Sequence, residues 1–96
     1  MMTMSNEKVL IAFLNHEKAH TPTRNINAGY TTYKGQTLST EGQSLINYQT
    51  QIAYWKDNTL YININKYSST TSHIQSKLKR LANERGIKMV EYRGEV

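Results

Sequence analysis

Hydroxyls and cations crowd one short stretch of this chain: Lys66, Tyr67, Ser69, Thr70, Thr71, His73, Lys77, Lys79, Arg80 and Arg85. Ser68-Ser69-Thr70-Thr71-Ser72 is a run of helix N-cap types, and Ile74, Leu78, Leu81 and Ala82 follow it at helical spacing. Free backbone amides at a helix start favour anions, and hydroxyls around them add donors. His73, Lys77 and Arg80 stand at i, i+4 and i+7 on one stripe, with Lys79 beside them. Those residue types in that order can recognise a phosphate backbone or an acidic partner surface. The same residues also have a purely local reading. Cations late in a helix complement the negative end of its dipole. Tyr67 would pack as a staple, Ser69 or Thr70 would cap the helix, and Gln75 would bond back to the preceding loop. Both readings stand at this stage.

Other chemistry is poorly provided for. The chain has no Cys, which removes disulfide frameworks, thiolate zinc sites and cysteine nucleophiles together. His16 and His20 are spaced i, i+4 near the end of an expected first helix, but no third metal ligand accompanies them. The seven acidic residues are scattered, and no glycine-rich phosphate loop occurs. The expectation is a binding protein, not an enzyme, with no catalytic residues, metal or cofactor. Tyr33, Tyr48, Tyr54, Tyr61 and Tyr67 fall on or near expected strands. Aromatics on an open sheet can stack bases, but they are also simply favoured in strands.

The elements that must position these residues follow from capping and periodicity. Ser5 is the expected N-cap of a first helix, with Val9, Leu10, Phe13 and Leu14 on its apolar face. That helix should fade near Lys18, before Thr21-Pro22, because the residue preceding a proline avoids the α region. Residues 1–4 are expected to be ragged and 19–29 to form a loop. A β-meander then spans Tyr30 to Asn65. Its expected parts are a hairpin turning at Lys34-Gly35, a long strand from Ser44 to Trp55, a turn at Lys56-Asp57-Asn58, and a strand Thr59–Asn65. Trp55 is assigned to the wet face. The basic helix of about 14 residues ends at Gly86 as a left-handed cap. A closing strand, Ile87–Tyr92, should run parallel to Thr59–Asn65 with a right-handed crossover. Ile74, Leu78 and Leu81 should face the sheet, leaving Lys77 and Arg80 in solvent. The predicted fold is α+β: an N-terminal helix, an antiparallel β-meander, then a basic helix and a closing strand, a β-β-α-β core.

The 96 residues fit one domain, 1–96. The net charge is +5, with a balance of +1 over residues 1–48 and +4 over 49–96. No apolar run reaches the ~18 residues that span a bilayer, and no signal peptide is evident, so a soluble protein of the cytoplasm is expected, with no membrane partner.

Asn47-Tyr48-Gln49-Thr50-Gln51-Ile52-Ala53-Tyr54, then a hairpin, then Leu60-Tyr61, then Lys66-Tyr67-Ser68-Ser69-Thr70-Thr71-Ser72-His73-Ile74-Gln75 resemble a group of small bacteriophage and prophage proteins of unknown function. Their shared pattern is a YxTxIA strand, a second strand, and KYSxTTSxxQ opening a helix. The likeness covers about residues 46–85 and implies a phage accessory protein acting in the bacterial host cytoplasm. Small proteins of that kind often inhibit host defence systems, CRISPR nucleases among them. The leading expectation is therefore an anti-CRISPR-like inhibitor that binds a host protein or ribonucleoprotein complex through a basic surface. The alternatives are a direct nucleic-acid-binding regulator and a structural protein that self-assembles, with a homodimer as its simplest form.

Overall fold

Ser5 begins the first ordered element. The structure, a computed structural model, describes residues 5–28 and 30–93, with Ala28 described by its backbone alone. The expected ragged residues 1–4 lie outside them. Ser5 Oγ accepts from Lys8 N at 3.5 Å and caps α1 (Asn6–Leu14), with Glu7 in the positive first turn. The helix stops earlier than its sequence suggests. His16 takes a left-handed φ of 60°, and the amides of His16 and Glu17 return to the carbonyls of Phe13 and Ala12 at 3.1 and 2.8 Å. This is a Schellman cap built on His instead of Gly. Tertiary packing holds it. The His16 ring lies over Trp55 at 4.3 Å, and Gly42 lets the His16 carbonyl come close, since a Cβ there would sit 2.8 Å from its oxygen. His16 and His20 are therefore not on one helix.

The expected loop 19–29 carries two strands. β1 (Ala19–His20) and β2 (Arg24–Ala28) are followed by β3 (Thr31–Gly35) and β4 (Leu38–Thr40). β2 and β3 form a separate hairpin, with Ile26 opposite Tyr33 and Ala28 opposite Thr31. Lys34-Gly35 is thus not a turn but the end of β3, paired with Arg24 and Asn25, and Gly35 has no positive φ. The Tyr30–Thr40 segment splits: its first half pairs backward with β2 and its second half enters the main sheet.

The long strand expected from Ser44 to Trp55 is a hairpin, β5 (Ser44–Asn47) and β6 (Thr50–Lys56). It turns at Tyr48, with φ 57°, and Gln49. The register is Asn47↔Thr50 and Ile46↔Gln51, then Leu45↔Ala53 and Ser44↔Tyr54. Ile52 is the extra residue of a β-bulge. The two-residue turn moves the in–out alternation by one position, and the bulge moves it back. A single period-two frame therefore fits both ends.

Asp57 and Asn58, at φ 51° and 61°, close the next hairpin as a primed turn and lead into β7 (Thr59–Asn63). Leu60 and Ile62 are fully buried, while Asn63 and Asn65 are also buried and Ile64 is half-exposed. α2 (Ser69–Glu84) starts at the cap Ser68, whose Oγ accepts from Thr71 N at 3.3 Å, so neither Ser69 nor Thr70 is the cap. It ends in a Schellman cap at Gly86, φ 66°, with Gly86 N to Asn83 O at 3.1 Å and Ile87 N to Ala82 O at 3.0 Å. β8 (Met89–Tyr92) closes the sheet parallel to β7, Leu60 opposite Met89 and Asn63 opposite Tyr92.

The fold is α+β. One six-stranded sheet, ordered β1-β4-β5-β6-β7-β8, is antiparallel except at β7/β8. Both helices pack on the same face. Val9, Leu10 and Phe13 from α1 and Leu78 from α2 meet Leu38, Leu45, Ile52, Leu60 and Ile62, all fully buried. Ile74 and Leu78 face the sheet as their spacing predicts, but Ala82 takes the inner place expected of Leu81, which stays half-buried. Trp55 belongs to this layer as well. It is 8% exposed and its indole N–H donates to Phe13 O at 2.9 Å, so it is not on the wet face.

Candidate binding surfaces

Burial of Thr71, Ile74, Gln75, Leu78 and Ala82 sets the orientation of α2 and sorts the candidate residues into three groups. The first group serves the fold. Thr71 is buried, donates its hydroxyl to Asn47 Oδ1, and so ties the start of α2 to the β5–β6 hairpin. The Tyr67 hydroxyl accepts from Asn63 Nδ2 at 2.9 Å. Gln75 Nε2 donates back to the carbonyls of Asn63 at 2.7 Å and Asn65 at 3.2 Å, as the local reading expects. The second group is held by partners. Lys77 pairs with Glu7 of α1 at 3.4 Å, Lys79 with Glu91 of β8 at 2.7 Å, and Arg85 donates to Asn15 Oδ1 at 3.3 Å. Lys77 and Lys79 lie before the last turn of α2, whereas Arg85 is its C-cap and stands at the negative end of the dipole.

The third group stands outward. Ser69, Thr70, His73, Arg80 and, just before the helix, Lys66 are exposed. The stripe expected from His73, Lys77 and Arg80 therefore reduces to His73 and Arg80, with Lys77 drawn to one flank and Lys79 to the other. Thr70 also borders a shallow groove of about 450 Å³ shared with Ile26 and Tyr33 of the β2–β3 hairpin and with Tyr48.

The sheet face away from the helices is a second surface. Strand register puts Ser44, Tyr54, Tyr61 and Val90 in one row across β5 to β8, with Asn63 and Tyr92 beyond it. The Tyr54 and Tyr61 rings stack with centroids 4.9 Å apart and planes 2° from parallel, and Tyr92 leans on Tyr54 at 5.4 Å. At that end Gln49, Thr50, Gln51, Asn63, Tyr67, Tyr92 and Arg93 line an open cavity of about 490 Å³. The Tyr92 hydroxyl is buried with no hydrogen-bond partner among the described residues. Burial, with Tyr54 and Tyr67 nearby, pushes its pKa up to about 12. Of these residues, sequence reasoning had singled out Tyr54, Tyr61 and Tyr67, but not Gln49, Gln51, Tyr92 or Arg93 as a group. Their only sequence signal is the position of Tyr92 at the end of the closing strand.

His16 lies over Trp55 and His20 Nδ1 donates to Thr21 O at 2.7 Å. Among the described residues no three His, Cys, Asp or Glu side chains gather as a metal site, and no helix is long and apolar enough to cross a membrane. No protein-family model, curated protein or solved structure matches the chain.

Proposed function

We propose that this is a small phage-type accessory protein that inhibits a host defence system, in the manner of an anti-CRISPR, by binding a host protein or ribonucleoprotein complex. The observation that carries this reading is the outer side of α2. Ser68 and Thr71 bear the structural load of the hydroxyl run, which leaves Lys66, Ser69, Thr70, His73 and Arg80 exposed on one side of the molecule. A basic, hydroxyl-rich helix side of this kind is suited to an anionic partner surface. The KYSSTTSHIQ resemblance to phage and prophage proteins supports the same reading, in which the place of action is the bacterial cytoplasm. On this reading the protein acts by occupancy, without catalysis, metal or cofactor.

The test is an interference assay in bacteria that carry an active CRISPR system, with plasmid survival as the readout. Survival should rise when the protein is expressed and fall back with Arg80→Glu combined with His73→Glu. Protection by the charge-reversed protein equal to the wild type, or no protection across the effector types tested, would overturn the proposal.

A further inference from the structure

We propose that the helix-free face of the sheet binds single-stranded nucleic acid, with bases continuing the Tyr54–Tyr61 stack and one nucleotide unit seated in the adjoining cavity. Three observations converge on that ligand. First, two parallel rings at 4.9 Å, both partly exposed, form a short aromatic stack to which a base can add on its outer side. Second, the cavity at the Tyr92 end is about 490 Å³, the size class of a small-molecule site. Gln49 and Gln51, both exposed, bring amides to it, groups that offer both donors and acceptors to a base edge. Third, the strands of this face carry no carboxylate among the described residues, because Glu91 points to the helix side, where it meets Lys79. Lys56 stands at the β6–β7 turn end of the same face and Arg93 lines the cavity at the other. A polyanion threaded between them meets cations at both ends and no carboxylate on the strands between.

The exposed character of the face is polar and aromatic rather than aliphatic, with Ile46 and Val90 its main aliphatic side chains. That suits a stacked, hydrogen-bonded strand better than the apolar core of a stable dimer interface. A duplex cannot use it equally, since paired bases are already stacked on one another. This surface is on the opposite side of the sheet from the outer side of α2, so the inference goes beyond the proposed inhibition and does not depend on it.

The experiment is fluorescence anisotropy of the full chain with labelled single strands of about ten nucleotides, oligouridylate and oligodeoxythymidylate, against a duplex of equal length. One or both single strands should bind, the duplex should bind roughly ten-fold more weakly or worse, and affinity should fall steeply with salt. The preference between the two strands reads whether the 2′-hydroxyl is used. Tyr61→Ala should weaken binding roughly ten-fold and Tyr61→Phe should keep it. Arg93→Glu, an exposed change that spares folding, should weaken binding and flatten the salt dependence. Arg80→Glu with His73→Glu should leave affinity within about two-fold, because binding across the sheet senses those charges only through a screened field. No anisotropy change at low salt would overturn the proposal. So would equal binding of duplex, affinity unchanged by both Arg93→Glu and a folded Tyr61→Ala, or a dimer by sedimentation that excludes the strand.

Discussion

Among the described residues the Tyr92 hydroxyl has no partner in its half-buried aromatic corner, and that position has two measurable consequences. A buried unsatisfied hydroxyl costs free energy that its removal returns. Tyr92→Phe should therefore be neutral or stabilising, by up to about 1 kcal/mol in denaturant unfolding. The second consequence is a pH dependence. The folded pKa is pushed up to about 12 from the ordinary 10. The unfolded chain thus loses this proton first, so the contribution is complete below about pH 10 and is lost as pH rises toward 12. Stability measured across that window should fall more steeply in the wild type than in Tyr92→Phe. Parallel curves would show that the hydroxyl is not held in its neutral form. Gly42 is the other position where one atom decides. Its φ of 112° and its closeness to the His16 carbonyl leave no room for a Cβ. Gly42→Ala should cost about 1–3 kcal/mol in the same assay, and no loss would mean that the α1 cap and the β4–β5 bend are not wedged together there.

At the scale of elements, α2 is divided between anchoring and display. Leu78 is fully buried, and Leu78→Ala should destabilise by roughly 2–5 kcal/mol through the cavity it leaves. Thr71→Val keeps the shape but removes the donor to Asn47 Oδ1, leaving a buried acceptor unsatisfied at a cost of about 1–3 kcal/mol. Arg80→Glu with His73→Glu touches neither core nor cap and should stay within about 0.5 kcal/mol. Thermal unfolding of these three proteins separates the roles, and a charge-reversed variant that melts like Leu78→Ala would show that the outer side is structural after all. Lys77 differs from Arg80 here. Its ion pair with Glu7 joins the two helices at the surface, where such pairs are worth about 1 kcal/mol or less and weaken with salt.

Across the whole molecule, stability should be uneven. The six-stranded sheet under both helices holds nearly all the buried apolar side chains, whereas in the β2–β3 hairpin Ile26 is the one buried side chain among those described. Local opening follows such differences in burial. Amide hydrogen exchange should therefore be fastest across Arg24–Gly35 and slowest in β6 and β7, and equal protection in the two regions would mean that the hairpin unfolds only with the core. The principal extents are 40 × 31 × 20 Å, and the shortest fits one layer of helices on one sheet, so that among the described residues no second helix layer covers the far sheet face.

What the sequence determined alone is the part whose signals are local. Ser5 and the Ser/Thr run mark helix starts, and Gly86 marks a helix end, because capping is chemistry within a few residues. Asp57-Asn58 between two alternating runs makes a hairpin, and a strand–helix–strand order with short links makes β7 and β8 parallel neighbours. Tertiary structure decided the rest. The Tyr48-Gln49 turn has no Gly or Pro to announce it, and its effect on the alternation is cancelled by the bulge at Ile52. The pairing of the first half of Tyr30–Thr40 depends on a ladder with Arg24–Ala28, where Ile26 is the one large apolar residue. Lys77 and Lys79 are taken out of the basic stripe by Glu7 and Glu91, which are distant in sequence. The Tyr54–Tyr61 stack, and the amides and arginine gathered at its end, exist only once strand register is set. Caps and turns are written in neighbouring residues, whereas register and ion pairing are settled by residues that meet only when the chain has folded.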